Sequence, residues 1–178
     1  MLPMRCLAAI AACLLLASPS PAQKEKHDPL TEAEIKEIRE AGSDPNQRVI
    51  VYTRILNEHA ETIEDLTRRA PSSRRSLRLD GELQDFTALL DELGTNLDVY
   101  AERKGDIRRA LKPLNQATEK WLEMLRALAG TPAFDLARKE ALESGQELAD
   151  QAKHLDTEQT EYFKLHKDEV GQERAEPK

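Results

Sequence analysis

The chain has 178 residues, 26 basic and 33 acidic side chains, a formal net charge of −7, only 4% aromatic residues and two cysteines. This acidic balance argues against nucleic acid as the general partner. Scarce aromatics and abundant charge favour thin helix packing over a thick globular core, and the length sets a single domain as the expectation.

Residues 1–22, "MLPMRCLAAIAACLLLASPSPA", read as an export signal. Arg5 supplies the positive n-region, Cys6 to Ala17 the apolar run, and Ser20-Pro21-Ala22 a small-residue cleavage site. A membrane span needs about 20 apolar residues, so the run is too short to remain as an anchor. Cleavage before Gln23 would leave a periplasmic or secreted chain with no cysteine, and therefore no disulfide, thiolate metal site or cysteine nucleophile. Ile10-Ala11-Ala12-Cys13 offers a rival reading, lipid anchoring at Cys13. The short apolar stretch ahead of that cysteine and Leu14-Leu15-Leu16 behind it make this the weaker of the two.

Residues 23–29 are polar and expected to be flexible, and a single helical domain is expected over 30–168. The first helix, 31–41, opens on a capping box of Thr31 and Glu34 and ends at Gly42. The second, 45–69, starts with Asp44 as cap and Pro45 at the first position. Its apolar stripe runs through Val49, Tyr52, Leu56, His59, Ile63 and Leu66. His59 on that stripe reads as a hydrogen-bonded packing residue.

From Leu79, steps of four and three land on apolar residues at 83, 86, 90, 93, 97 and 100, then again at 107, 111, 114, 121, 125 and 128. Lys104 and Thr118 are the two polar positions in this register. A seam held in one phase predicts one long helix over 77–129. Gly105 and Pro113 would kink it, because proline removes an N–H and crowds the carbonyl four residues back. The fourth helix, 132–166, is expected to be capped by Thr131 and to turn a face of small residues inward, with 169–178 as a frayed tail. The fold class expected is all-α, an elongated antiparallel bundle around one Pro-kinked central helix. The alternative is a compact four-helix bundle with a reversal near Gly105.

Two constellations are candidate sites. Arg68, Arg69, Arg74, Arg75 and Arg78 form a cluster at the expected hairpin tip, suited to an anion, a partner or a membrane surface. Asp150, His154 and Glu158, spaced four apart on one helix face, are the weak metal candidates. No nucleophile elbow, P-loop, dinucleotide fingerprint or zinc motif occurs, so neither enzyme chemistry nor a cofactor is expected.

The order "LTEAEIKEIREAGSDPNQR", then "LQDFTALLDELGTNLDVYAERKGDIRRALKPL", then "LRAL" resembles a group of exported, all-helical bacterial proteins of unknown function. That resemblance implies export and helices, and no activity. "LTEAEIKEIR" is similar to the LTxxQ segment of small periplasmic stress chaperones, with Glu34 where the glutamine stands. The resemblance implies a client-shielding role; "LDTEQ", Leu155 to Gln159, is an imperfect second copy. The function expected is a non-enzymatic envelope protein acting through protein–protein contact or self-association along the part of the long seam left uncovered. A chaperone role and peripheral membrane contact are the alternatives.

Overall fold

The computed structural model describes residues 28–170; the expected export signal and cleavage site, Cys13, most of the expected flexible segment 23–29 and the tail from residue 171 lie outside them. Five helices form: α1 (Glu32–Glu40), α2 (Pro45–Arg68), α3 (Ser73–Glu102), α4 (Arg108–Ala127) and α5 (Asp135–Leu165). A single 3-10 turn, Lys167–Glu169, follows α5, so the chain is tied down to the start of the expected frayed tail. The expected all-α bundle is present, and no strand occurs among the described residues.

Local chemistry sets most of the boundaries. The Thr31 hydroxyl accepts from the Glu34 N–H at 3.3 Å while the Glu34 carboxylate accepts from the Thr31 N–H at 2.7 Å, the two halves of a capping box. Asp44 accepts from the Asn46 and Gln47 N–H groups ahead of α2. Ser72 accepts from the Arg75 N–H, so α3 starts at Ser73, four residues before the expected 77, and "PSS" opens a helix as well as closing one. The cap expected at Thr131 does not form. Phe134 N–H donates to the Thr131 carbonyl, Pro132 sits in that turn, and α5 starts only at Asp135.

The long central helix expected over 77–129 is two helices. After Glu102 the Lys104 N–H donates to Ala101 O at 3.0 Å and the Gly105 N–H to Tyr100 O at 2.9 Å, the paired bonds of a Schellman stop. Lys104 takes the left-handed conformation, φ 51°, that such a stop requires. Gly105 therefore lies in a chain reversal, not at a kink, and Pro113 lies within the second turn of α4. The seam keeps its phase through this reversal by coincidence. An apolar stripe spans at least about 100° of a helix, so roughly one loop length in four preserves phase by chance.

The four longer helices make a bundle in which α2 touches α3 and α4, α5 touches α3 and α4, and neither α3 with α4 nor α2 with α5 are neighbours. Tyr52 to Glu92 and His59 to Glu82 mark α2 and α3 as antiparallel. Asn46 to Ala110 and Asn57 to Trp121 mark α2 and α4 as parallel. Gln151 reaches Gly94 and Asp98 on α3, which runs parallel to α5. Residues 103–107 thus carry the chain diagonally across one bundle end. Five extended residues reach about 17 Å, and the diagonal of a square with sides of about 8–10 Å is shorter than that.

The seam residues are the core. Leu79, Leu83, Phe86, Leu90, Leu93, Leu97, Leu111, Leu114, Trp121 and Leu125 are all buried, with the Phe86 and Trp121 rings meeting edge to face across the diagonal at 5.8 Å. Closure within one chain leaves no long apolar flank exposed, which removes the reason for expecting one. Near the end of α5, Phe163 is buried, with the Arg108 guanidinium 4.5 Å from its ring centroid. The first helix packs on α2, with Ile38 buried and Glu37 paired to Arg54.

Candidate functional site

The crossing at 103–107 is held by side chains from the two helices it passes between. Buried Gln159 of α5 accepts from the Ile107 N–H at 2.9 Å and donates to the Gly105 carbonyl at 2.8 Å. Asn46 of α2 donates to the Asp106 carbonyl at 2.7 Å and accepts from the Ala110 N–H at 3.2 Å. Asp44 adds an ion pair to Arg109 at 3.3 Å. Buried backbone groups need partners, and these two amides supply three bonds to a segment that has no ladder of its own and a fourth to the first turn of α4. Ile107, fully buried, plugs the core beneath. Asn46 and Gln159 were not among the sequence candidates; a glutamine in an apolar register was the available signal for Gln159, and Asn46 at the start of a helix gave none.

Beside this corner is a cleft of about 410 Å³ between the end of α3 and the last turns of α5. Ala101, Leu155 and buried Phe163 contribute to its lining, with Leu165 at the rim, 83% exposed. Tyr162 stacks on the His166 ring at 4.1 Å and donates its hydroxyl to Glu169 at 2.7 Å. Lys104 Nζ stands 5.0 Å from the Tyr162 ring centroid, a cation–π contact at the mouth. Exposed Val170 lies just beyond. The arrangement is a cleft of mixed lining, with an aromatic wall and Lys104, Glu158 and Glu161 beside its apolar residues.

The opposite end carries the arginine cluster. Arg68 is occupied by Glu64 and Asp65, and Arg75 donates to the Arg69 carbonyl at 2.9 Å, closing the α2–α3 turn. Among the described residues, Arg69, Arg74 and Arg78 have no side-chain partner, and all three are exposed. Leu77 and Leu136, 73% and 70% exposed, stand at the same end.

The metal candidates do not assemble. His154 faces Glu158 at 3.3 Å, but Asp150 accepts from Gln146, and no group of three metal-ligating side chains occurs among the described residues. His59 packs as expected, its Nδ1 2.6 Å from Glu82. No described helix is long and apolar enough to cross a membrane.

The fold and its two ends define an all-helical protein, a four-helix bundle with one accessory N-terminal helix. No protein-family model matches the chain, and neither curated proteins nor solved structures yield a detectable relative.

Proposed function

We propose that this is a non-enzymatic exported protein that acts by binding another protein, or a second copy of itself, in the cell envelope. The observation that carries the reading is where exposed apolar surface remains. With the seam closed inside the chain, the large exposed apolar side chains stand at the bundle ends: Ile50, Leu165 and Val170 at one, Leu77 and Leu136 at the other. Single exposed leucines are ordinary, but Leu165 rims a cleft with a partly apolar floor. A partner side chain entering that cleft would cover Leu165 and pack against Tyr162, an anchor-in-pocket contact of the kind that dominates binding energy.

The test is a pull-down from the native envelope fraction with the chain from Gln23, alongside light scattering at several concentrations. Leu165→Asp and Ala101→Trp, one charging the rim and one filling the cleft, are the controls. Loss of a retained partner, or of self-association, in both variants supports the proposal. A chain that is monomeric at all concentrations and retains nothing that either variant loses would refute it.

A further inference from the structure

We propose that the other bundle end, formed by the α2–α3 turn and the start of α5, docks on an anionic lipid surface. Leu77 and Leu136 enter the headgroup layer there while Arg69, Arg74 and Arg78 engage lipid phosphates. This goes beyond the cleft contact above and gives the exposed leucines at the opposite end of the bundle a separate role.

Three observations carry it. First, the two leucines stand at the same end of the bundle. Along the parallel α3–α5 pair, Leu90 lies level with Gly145 and Gly94 with Leu148, which places Leu77 level with the residues just ahead of α5. A shallow groove of about 580 Å³ agrees with that level, with Leu77, Pro71 and Ala133 among its walls. Leu136 is one turn further along. Second, the charge at this end opposes the rest of the chain. Residues 64–78 and 126–140 together hold eight basic and four acidic side chains, against a whole-chain net charge of −7. Third, three of those four acids are spent internally. Glu64 and Asp65 hold Arg68, and Asp135 holds Arg138 and Lys139, while Arg69, Arg74 and Arg78 are left exposed and unpaired among the described residues.

A bilayer with acidic lipids offers phosphate oxygens and hydrocarbon within about 5–10 Å of each other, which matches protruding leucines set among free guanidinium groups. Arginine suits this role because its planar fork meets phosphate through two parallel bonds. An acidic protein patch would pair the arginines but would set charge, not hydrocarbon, against the two leucines among them. A few basic and apolar side chains make a weak, salt-sensitive contact, appropriate to reversible attachment.

The test uses the chain from Gln23, which contains every described helix. Its binding is measured by co-sedimentation with phosphatidylcholine vesicles, with and without phosphatidylglycerol, at low and physiological salt. Inorganic phosphate and poly-glutamate serve as soluble competitors. Binding is expected only with phosphatidylglycerol and should weaken as salt rises. The triple variant Arg69→Gln, Arg74→Gln, Arg78→Gln should lose about 100-fold in partitioning, near five-fold for each charge. Leu77→Ser with Leu136→Ser should lose about tenfold or more. All five positions are exposed, and circular dichroism checks that each variant keeps its helicity. Leu136→Trp supplies an independent readout, a blue-shifted emission on adding anionic vesicles. The proposal is overturned by absent or lipid-independent binding, or by an unshifted Leu136→Trp emission. Full competition by phosphate, with the leucine pair silent, would reassign the tip to a free anion. Full competition by poly-glutamate would reassign it to an acidic protein.

Discussion

The side-chain amide of Gln159 is bonded at both ends to the backbone of the crossing, accepting from Ile107 and donating to Gly105, 52 and 54 residues earlier in the chain. It is buried, so water cannot replace either bond. Replacement by leucine leaves a buried N–H and a carbonyl unpaired, at about 1–3 kcal/mol each. Gln159→Leu is expected to lower stability by about 2–4 kcal/mol in urea unfolding. Gln159→Glu separates the two bonds. An ionised carboxylate accepts from Ile107 but cannot donate to Gly105, whereas a protonated one does both, so this variant should recover toward the parent as pH falls through the carboxylate range. A deficit that does not change with pH would show that the donor bond contributes little.

His59 and Glu82 join α2 to α3 at 2.6 Å. Burial by itself lowers the imidazole pKa, but the hydrogen bond and charge of Glu82, with the charges of Glu34 and Asp85, outweigh it and leave the pKa raised above 6.5. A group whose folded pKa is raised stabilises fully below its unfolded value and loses that contribution as pH rises through the folded value. Stability should therefore fall as pH climbs from about 6.5. The decline should be absent in His59→Gln and in Glu82→Gln when unfolding is measured across neutral pH. An equal slope in all three proteins would assign the pH dependence elsewhere.

Lys104 occupies the left-handed position of the α3 stop, and Gly105 follows it without needing to be glycine. A Cβ on Gly105 would meet Tyr100 O at 3.6 Å and Pro45 Cγ at 3.8 Å, both ordinary contacts. Gly105→Ala should be neutral or stabilise by up to about 1 kcal/mol, by restricting the unfolded chain. Lys104→Gly relieves about 1–2 kcal/mol of backbone cost and forfeits a cation–π contact of about 0.5–1 kcal/mol, so a small net gain is expected. Lys104→Val, branched at a left-handed position, should destabilise. Thermal unfolding ranks the three, and a destabilised Gly105→Ala would contradict this account of the corner.

Gly145 sits inside α5 where a Cβ would come within 3.3 Å of Leu122 Cδ2, 3.8 Å of Leu90 Cδ1 and 3.9 Å of Leu125 Cδ1. Flexible leucine ends can yield a few tenths of an ångström, and alanine favours helix by about 1 kcal/mol, so Gly145→Ala should lie near neutral. Gly145→Val forces two further carbons into the same space. It should cost about 1–3 kcal/mol through overpacking, read as a lower urea midpoint at unchanged slope.

Helical content, the caps of α1 and α2 and the seam residues of the core were legible in the residues, because each rests on interactions spanning a few positions. Thr31 with Glu34, Asp44 ahead of Pro45, and the three–four spacing from Leu79 to Leu128 are decided within a turn or two of the chain. The arginine cluster was legible as a cluster, but not which three arginines stay free. That depends on Arg75 folding back to the Arg69 carbonyl and on Glu64 and Asp65 reaching Arg68.

Where α3 stops was decided only by the tertiary structure. Ending a helix at Glu102 puts Lys104 in an unfavourable conformation and strips several backbone groups of partners. The compensation comes from Asn46 and Gln159, each more than 50 residues from its partners in the crossing. No local window contains both the cost and its compensation, so apolar periodicity alone favoured continuity. The reversal folds the seam onto itself, buries it within one chain, and leaves exposed apolar surface at the two ends of the bundle.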